Sequence, residues 1–176
     1  MDSTLAIWLV PIDPCHTWFA NEIRRLSARY QTPDFDPHMT VHAGPEGVIA
    51  SEAELIGELA LTAAPVTLKV KGVGHSEKFS KCVYVEFEMN EELLGIATRL
   101  NERLPSEYVL QPHVSLLYHT LPESMRTPVA QEIAVPFAEV TFGAVQAVLC
   151  PRNTSTPAEV LQWKLLEQRA LNAAGM

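Results

Sequence analysis

Two stretches of the chain, Pro37-His38-Met39-Thr40-Val41 and Pro112-His113-Val114-Ser115-Leu116, read the same way: proline, histidine, apolar, hydroxyl, apolar, 75 positions apart. Solenoid repeats recur every 20–50 residues or about that, so two copies at this distance suggest a pair of pseudo-symmetric lobes. Both stretches are short, follow a proline and are rich in apolar and β-branched residues, which marks them as strands. Along a strand, residues i and i+2 point to one face. His38 then shares a face with Thr40, and His113 with Ser115; parity extends those faces to His42 and His119. If the two strands lie side by side across a pseudo-dyad, two imidazoles and two hydroxyls converge on one cleft.

The surrounding chain alternates between strand and helix patterns. Residues 5–10 form a continuous apolar run, as in a strand buried on both faces. Asp13-Pro14 supplies an N-cap and a proline at the first helical position, and Phe19, Ile23, Leu26 and Tyr30 then fall on one helical stripe. Ser51 and Glu54 form a capping box for a second helix carrying Leu55 and Leu59. Residues 66–71 and 83–88 alternate with period two. Asn90 caps a third helix with Leu93, Ala97, Leu100 and Leu104 on a shared face. Pro122 and Pro128 shorten or split the next helix, and residues 145–150 read as a strand. Residues 160–170 have a helical composition but alternate like a strand at Leu161, Trp163 and Leu165, and both readings stay open. Mixed elements without strict βαβ order indicate an α+β fold.

Apolar residues make up 47% of the 176 and charged residues 19%. That supports a real core, excludes wholesale disorder, and is consistent with one domain over residues 1–176. The longest apolar run, residues 5–12, contains Pro11 and falls far short of the roughly 20 residues a membrane helix needs. Met1-Asp2 brings an acid where a signal peptide has a basic flank. A cytoplasmic monomer without a membrane partner is expected. Thirteen Lys+Arg against 21 Asp+Glu give a net charge of −8, the opposite of what gripping long nucleic acid by counterion release requires. Phosphate chemistry on a small molecule or a chain end stays open, and a local patch of Arg24, Arg25, Lys78 and Lys81 would favour an RNA end. Cys15, Cys82 and Cys150 have no CxxC spacing and read as buried thiols.

Paired imidazoles suit the hydrolysis of a cyclic phosphodiester. One takes a proton from the attacking water while the other gives one to the leaving alkoxide, and a free histidine does either near neutral pH. Hydroxyls beside them donate to the non-bridging phosphoryl oxygens. A single His-x-Thr carries no weight; two copies in one local frame, in a chain with six histidines, do. The spacing His38-x3-His42 invites zinc, but the helical zinc motif has Glu after its first His and this segment reads as strand. No metal or cofactor is expected.

The pair His38-x-Thr40 and His113-x-Ser115 resembles the signature of the two-histidine (2H) phosphoesterases. The chain is most similar to their cyclic phosphodiesterase branch, which opens 2′,3′-cyclic nucleotides and, in some members, ADP-ribose 1″,2″-cyclic phosphate. The matching stretches are residues 5–11 (LAIWLVP), 37–41 (PHMTV), 82–85 (CVYV), 112–118 (PHVSLLY) and 145–150 (VQAVLC). The resemblance implies a bilobal α+β fold, with two antiparallel sheets flanking a central cleft, helices outside, and the last segment a strand. It implies catalytic roles for His38 and His113 and phosphate-holding roles for Thr40 and Ser115. Tyr118 matches a tyrosine that lines the site, although period two puts it on the face away from His113 unless a bulge or the strand end re-aims it. Trp8 matches a first-strand tryptophan, for which core packing is the alternative to substrate contact. Phe79 lies where relatives carry a richer aromatic run for stacking a base; here that run reads Glu77-Lys78-Phe79-Ser80-Lys81. By parity alone, His42 is a further candidate for the cleft rim. The implied activity is metal-independent hydrolysis of a small cyclic phosphodiester to a monoester, with a 2′-phosphate as product from a 2′,3′-cyclic nucleotide. His113 is the working choice for the base and His38 for the acid. The alternatives are action on the cyclic-phosphate end of RNA, or a module that binds nucleotides or RNA ends without turnover.

Overall fold

Residue 142 marks the point where the longest strand of the molecule changes neighbours, and the architecture follows from that strand. In the computed structural model, which describes residues 3–172, it is β6 (Glu139–Pro151). Its C-terminal part pairs antiparallel with β1 (Ser3–Pro11) on one edge and with β7 (Lys164–Ala170) on the other. Residues 139–142 pair instead with β3 (Val66–His75), which continues into β4 (Val83–Phe87) and β5 (His113–Leu117). β2 (Met39–Pro45) pairs with the free edge of β1. The order is thus β2-β1-β6-β3-β4-β5, with β7 beside β6. The two antiparallel sheets expected from the sequence exist as two halves, joined into one seven-stranded sheet by the short β3–β6 ladder. The end strands β2 and β5 lie against each other, but no ladder joins them among the described residues, so the sheet stays open at that seam.

Five helices complete the α+β fold: α1 (Cys15–Tyr30), α2 (Glu52–Thr62), α3 (Glu91–Arg103), α4 (Glu123–Glu132) and α5 (Pro157–Val160). The α1 stripe of Phe19, Ile23 and Leu26 is fully buried. The helix begins at Cys15, so Pro14, and not Asp13 as expected, stands at the N-cap; from one residue earlier Asp13 still serves the first turn, its Oδ1 accepting from the Thr17 amide at 3.0 Å. The Ser51 hydroxyl accepts from the Glu54 amide, and Asn90 Oδ1 from the Leu93 amide at 2.9 Å. In α3 the buried residues are Leu93, Ile96 and Leu100, with Ile96 taking the place expected for Ala97, which is half-buried. α4 is short, ten residues, and unsplit despite Pro128 within it. The ambiguous segment 160–170 is a strand, β7, as the resemblance implies; only Val160 belongs to the preceding short helix α5, which opens with a capping box between Thr156 and Glu159. No helix among the described residues is long and apolar enough to cross a membrane. Met1 and Asp2, on which the signal-peptide reading rests, and residues 173–176 lie outside the described residues.

β1 alternates as a strand covered on both faces. Leu5, Ile7 and Leu9 enter the main core, while Ala6 and Trp8 form a second cluster with Val148, Cys150 and Trp163. The halves of the sheet are coupled by Phe87 of β4 and Phe142 of β6, both buried, whose rings meet edge to face at 5.5 Å. Phe142→Ala is expected to cost about 3–5 kcal/mol and Phe142→Leu under about 1.5 kcal/mol. Urea unfolding followed by fluorescence and by far-UV circular dichroism measures both; a cost under about 1 kcal/mol for the alanine variant would refute this coupling.

Candidate active site

The second face of β1 builds the floor of a cleft of about 610 Å³. Thr4, Ala6 and Trp8 line it at i, i+2, i+4, together with Thr40 and Ala43 of β2 and Cys150 of β6. The two strands that border the open seam each bring one histidine, His38 just before β2 and His113 opening β5. Walls come from Lys78, Ser80 and Lys81, the loop before β5, and Trp163.

The histidines are held alike. His38 Nδ1 donates to the Asp36 carbonyl at 2.8 Å, and His113 Nδ1 to the Gln111 carbonyl at 2.6 Å. A carbonyl only accepts, so Nδ1 carries the hydrogen in each ring, and the neutral imidazole presents its lone pair at Nε2. Burial lowers the pKa of both, that of His38 to about 4, with the charge of His113 adding to the effect. For His113, burial is again the largest cause; Lys81 and Lys78 push the same way, and the Gln111 carbonyl and Glu86 oppose them.

A second correspondence reaches further along each strand. Ile7 pairs with His42 and Trp8 with Thr40, so Val41 is an extra residue in β2; Val83 pairs with Leu117 and Tyr84 with Ser115, so Leu116 is extra in β5. Each bulge falls three residues after its histidine and reverses the parity beyond it. Tyr118 is thereby turned into the cleft from the β5 side, as Ala43 is from β2. The same reversal takes His42 and His119 off the cleft, against the parity expectation. His42 is buried, its Nε2 has no hydrogen-bond partner among the described residues, and burial lowers its pKa. His119 instead anchors a loop, its amide donating to the Phe79 carbonyl at 3.0 Å.

The remaining candidates divide. Thr40 lines the cleft, and its carbonyl accepts from the Tyr108 hydroxyl at 3.1 Å. Ser115 is buried beneath the lining, its hydroxyl donating to the Ser80 carbonyl at 2.8 Å. Phe79 packs 6.0 Å from the Tyr118 ring and is not part of the cleft wall. Of the basic patch, Lys78 and Lys81 line the cleft; Arg25 pairs with Glu22 and Glu132 on the outer surface, and Arg24 bonds Asn21. Burial pushes the Tyr118 phenol well above its ordinary range, and the Cys150 thiol up to about 12. Trp163, read from the sequence only as an ambiguous helix or strand residue, meets Trp8, His38 and Tyr118 edge to face at 5.1–5.6 Å. Its place in the strand-like alternation before β7 was the only sequence signal. No group of three or more His, Cys, Asp or Glu side chains among the described residues is arranged to hold a metal ion.

Two equivalently held histidines, facing one cleft at the seam of an antiparallel α+β sheet, define a two-histidine phosphoesterase. Within that class the chain belongs to the cyclic phosphodiesterase-like protein family, whose sequence model matches residues 1–171. Among solved structures it is similar to Escherichia coli LigT, both in its apo form (14% identity, TM-score 0.58, covering 96% of this chain and 97% of LigT) and complexed with 3′-AMP (14%, 0.59, 97% and 99%). It is also similar to TT0787 of Thermus thermophilus (18%, 0.54, 97% and 98%). At these identities the likeness is one of fold. No curated protein sequence matches the chain.

The buried state of His38 predicts a pH-dependent stability. Its folded pKa, lowered from 6.5 to about 4 by burial, lies below its unfolded value, so the unfolded chain takes up the proton first as pH falls. The contribution is full above pH 6.5 and is lost between there and about 4, up to about 3 kcal/mol in all. In His38→Gln the fall in stability across that window should shrink by most of this amount, measured by urea denaturation at each pH. An unchanged slope would place the His38 titration elsewhere.

Proposed function

We propose that the protein hydrolyses a small cyclic phosphodiester, with a 2′,3′-cyclic nucleotide as the representative substrate, to a phosphomonoester. The observation that carries this reading is the matched pair of Nδ1–carbonyl bonds, which leaves one Nε2 on each side of the cleft for proton transfer. One Nε2 accepts the proton of a water as its oxygen bonds to phosphorus. The other donates its proton to O3′ as the P–O3′ bond breaks, giving the 2′-phosphate and a free 3′-hydroxyl. Both proton transfers are handled by the histidines, so the step calls for no metal. That LigT has been solved with phosphate and with 3′-AMP fits a cleft of this kind for phosphate-bearing nucleotides.

The surroundings favour His38 as base and His113 as acid, the reverse of the working assignment from sequence. His38 is the ring held neutral down to about pH 4, so its lone pair is ready. Lys81 and Lys78 make the His113 proton easier to give up, and the same lysines suit the negative charge of the phosphoryl group. Thr40 is the hydroxyl open to the cleft. Ser115 reaches a phosphoryl oxygen only by releasing the Ser80 carbonyl, and otherwise supports residues 79–81 from below.

Purified protein incubated with 2′,3′-cyclic AMP in EDTA should yield 2′-AMP by chromatography. His38→Ala and His113→Ala should each lower kcat by on the order of 10²–10⁴, and Thr40→Val by on the order of 10². A base that works above about pH 4 and an acid whose pKa is held below 6.5 place the kcat/KM maximum between those values. No turnover of any cyclic phosphate tested, or near-normal activity in either alanine variant, refutes the reading.

A further inference from the structure

We propose that Trp8 is a positioning residue for His38, fixing the imidazole by face-to-face stacking and stabilising its protonated form, instead of serving as a substrate contact. The inference rests on the proposed role of His38 as a proton carrier. The indole and imidazole planes lie 14° from parallel with centroids 3.6 Å apart. Trp8 is itself buried, 6% exposed, and held from the side by the Trp163 ring at 5.1 Å, whose Nε1 donates to the Thr154 hydroxyl at 3.1 Å. Its ladder partner is Thr40, so the stack and the cleft hydroxyl are set by one pair of residues.

The two constraints on His38 are complementary. The Nδ1–Asp36 carbonyl bond fixes which edge of the ring faces the protein, and the indole fixes its plane; together they direct Nε2. A π face carries negative potential and attracts a cation above it. When His38 takes the proton of the attacking water, the indole offsets part of the penalty that burial imposes on the imidazolium. Among the other titratable groups lining the cleft, Lys78, Lys81 and Arg152 oppose a charge on His38, Glu107 favours one, and Tyr108 is a phenol. His113, across the cleft, opposes it when protonated. Tyr118 and Cys150 line the same cleft with pKa values pushed up by burial. Among the described residues His113 has no such stack: its aromatic neighbour, Tyr84, meets it at 72° and 5.6 Å and carries the Lys81 ammonium over its face.

Trp8→Leu and Trp8→Phe test this, with two readouts. On 2′,3′-cyclic AMP, Trp8→Leu should lower kcat about tenfold or more with KM changed less than about threefold, and Trp8→Phe should restore most of the loss. In the free protein, NMR titration of isotope-labelled histidine should show the His38 pKa falling by about half a unit or more in Trp8→Leu and by less in Trp8→Phe, since the indole is the stronger π partner. The acid limb of kcat/KM should move down with it. A raised KM at unchanged kcat marks a substrate contact and overturns the proposal, as does a His38 pKa that stays put or rises. If Trp8→Leu does not fold, the titration of Trp8→Phe decides alone: a fall supports the role and an unchanged value refutes it. The titration needs no turnover, so a chain that hydrolyses no cyclic phosphate refutes the function proposed above while this measurement still decides the role of Trp8.

Discussion

The hydrogen bond from each histidine Nδ1 to the carbonyl two residues before it is the constraint on which the site depends. In both copies the acceptor, Asp36 or Gln111, is the residue immediately before a proline. Proline excludes its predecessor from the helical region and holds it extended, which fixes the acceptor's backbone just ahead of the ring. The Pro-His pair is therefore a device: the proline restrains the acceptor's backbone, the acceptor sets the tautomer, and the tautomer leaves Nε2 as the working atom. Neither histidine needs a carboxylate partner for this: the bond is made by the neutral and the protonated ring alike, while burial lowers the pKa of both.

The sheet carries these two devices to one place. Its order puts β2 and β5 at opposite ends of the hydrogen-bonded path, and β6, by changing partners near Phe142, swings the halves so that those ends meet. A completed ladder at the seam would fill the site with backbone; leaving it open makes room for a ligand flanked by one histidine from each half. Open strand edges are an aggregation liability, which here is limited because the two edges face each other and the bulges at Val41 and Leu116 interrupt their regularity.

Much of this was legible in the sequence because the local signals agreed with the tertiary outcome. The two Pro-His stretches, the α1 stripe and the caps at Ser51 and Asn90 each specify structure within a few residues, and nothing in the packing overrides them. What failed to show was any feature set by pairing register. A bulge is defined by two strands at once, so no property of Val41 or Leu116 alone reveals it. Strict period two therefore misplaced His42 and His119 and left Tyr118 needing a re-aimed backbone. Trp163 was hidden for a related reason: its contacts with Trp8, His38 and Tyr118 come from β1, the residue just before β2 and the segment just after β5. Phe79 shows the converse, a residue well placed by position in the chain but turned to support Tyr118 from behind.

The repeat is symmetric in backbone and asymmetric in surroundings, and the asymmetry is what distinguishes the two roles. Catalysis by a pair of like groups works only if one tends to lack a proton while the other tends to release one. Hydrogen bonds at Nδ1 are equivalent and bulges coincide, so the distinction falls to the neighbours. On the β2 side these are an indole face and deep burial, which give His38 a free lone pair and a sheltered cation once it is filled. On the β5 side they are Lys81 and Lys78, opposed by Glu86, and a more open position, which suit His113 to the proposed role of acid. A bound phosphodiester anion raises both pKa values, but it does so from these unequal starting points. In the proposed mechanism water attack and alkoxide departure lie on opposite sides of phosphorus, so a cyclic substrate would seat its leaving oxygen toward β5.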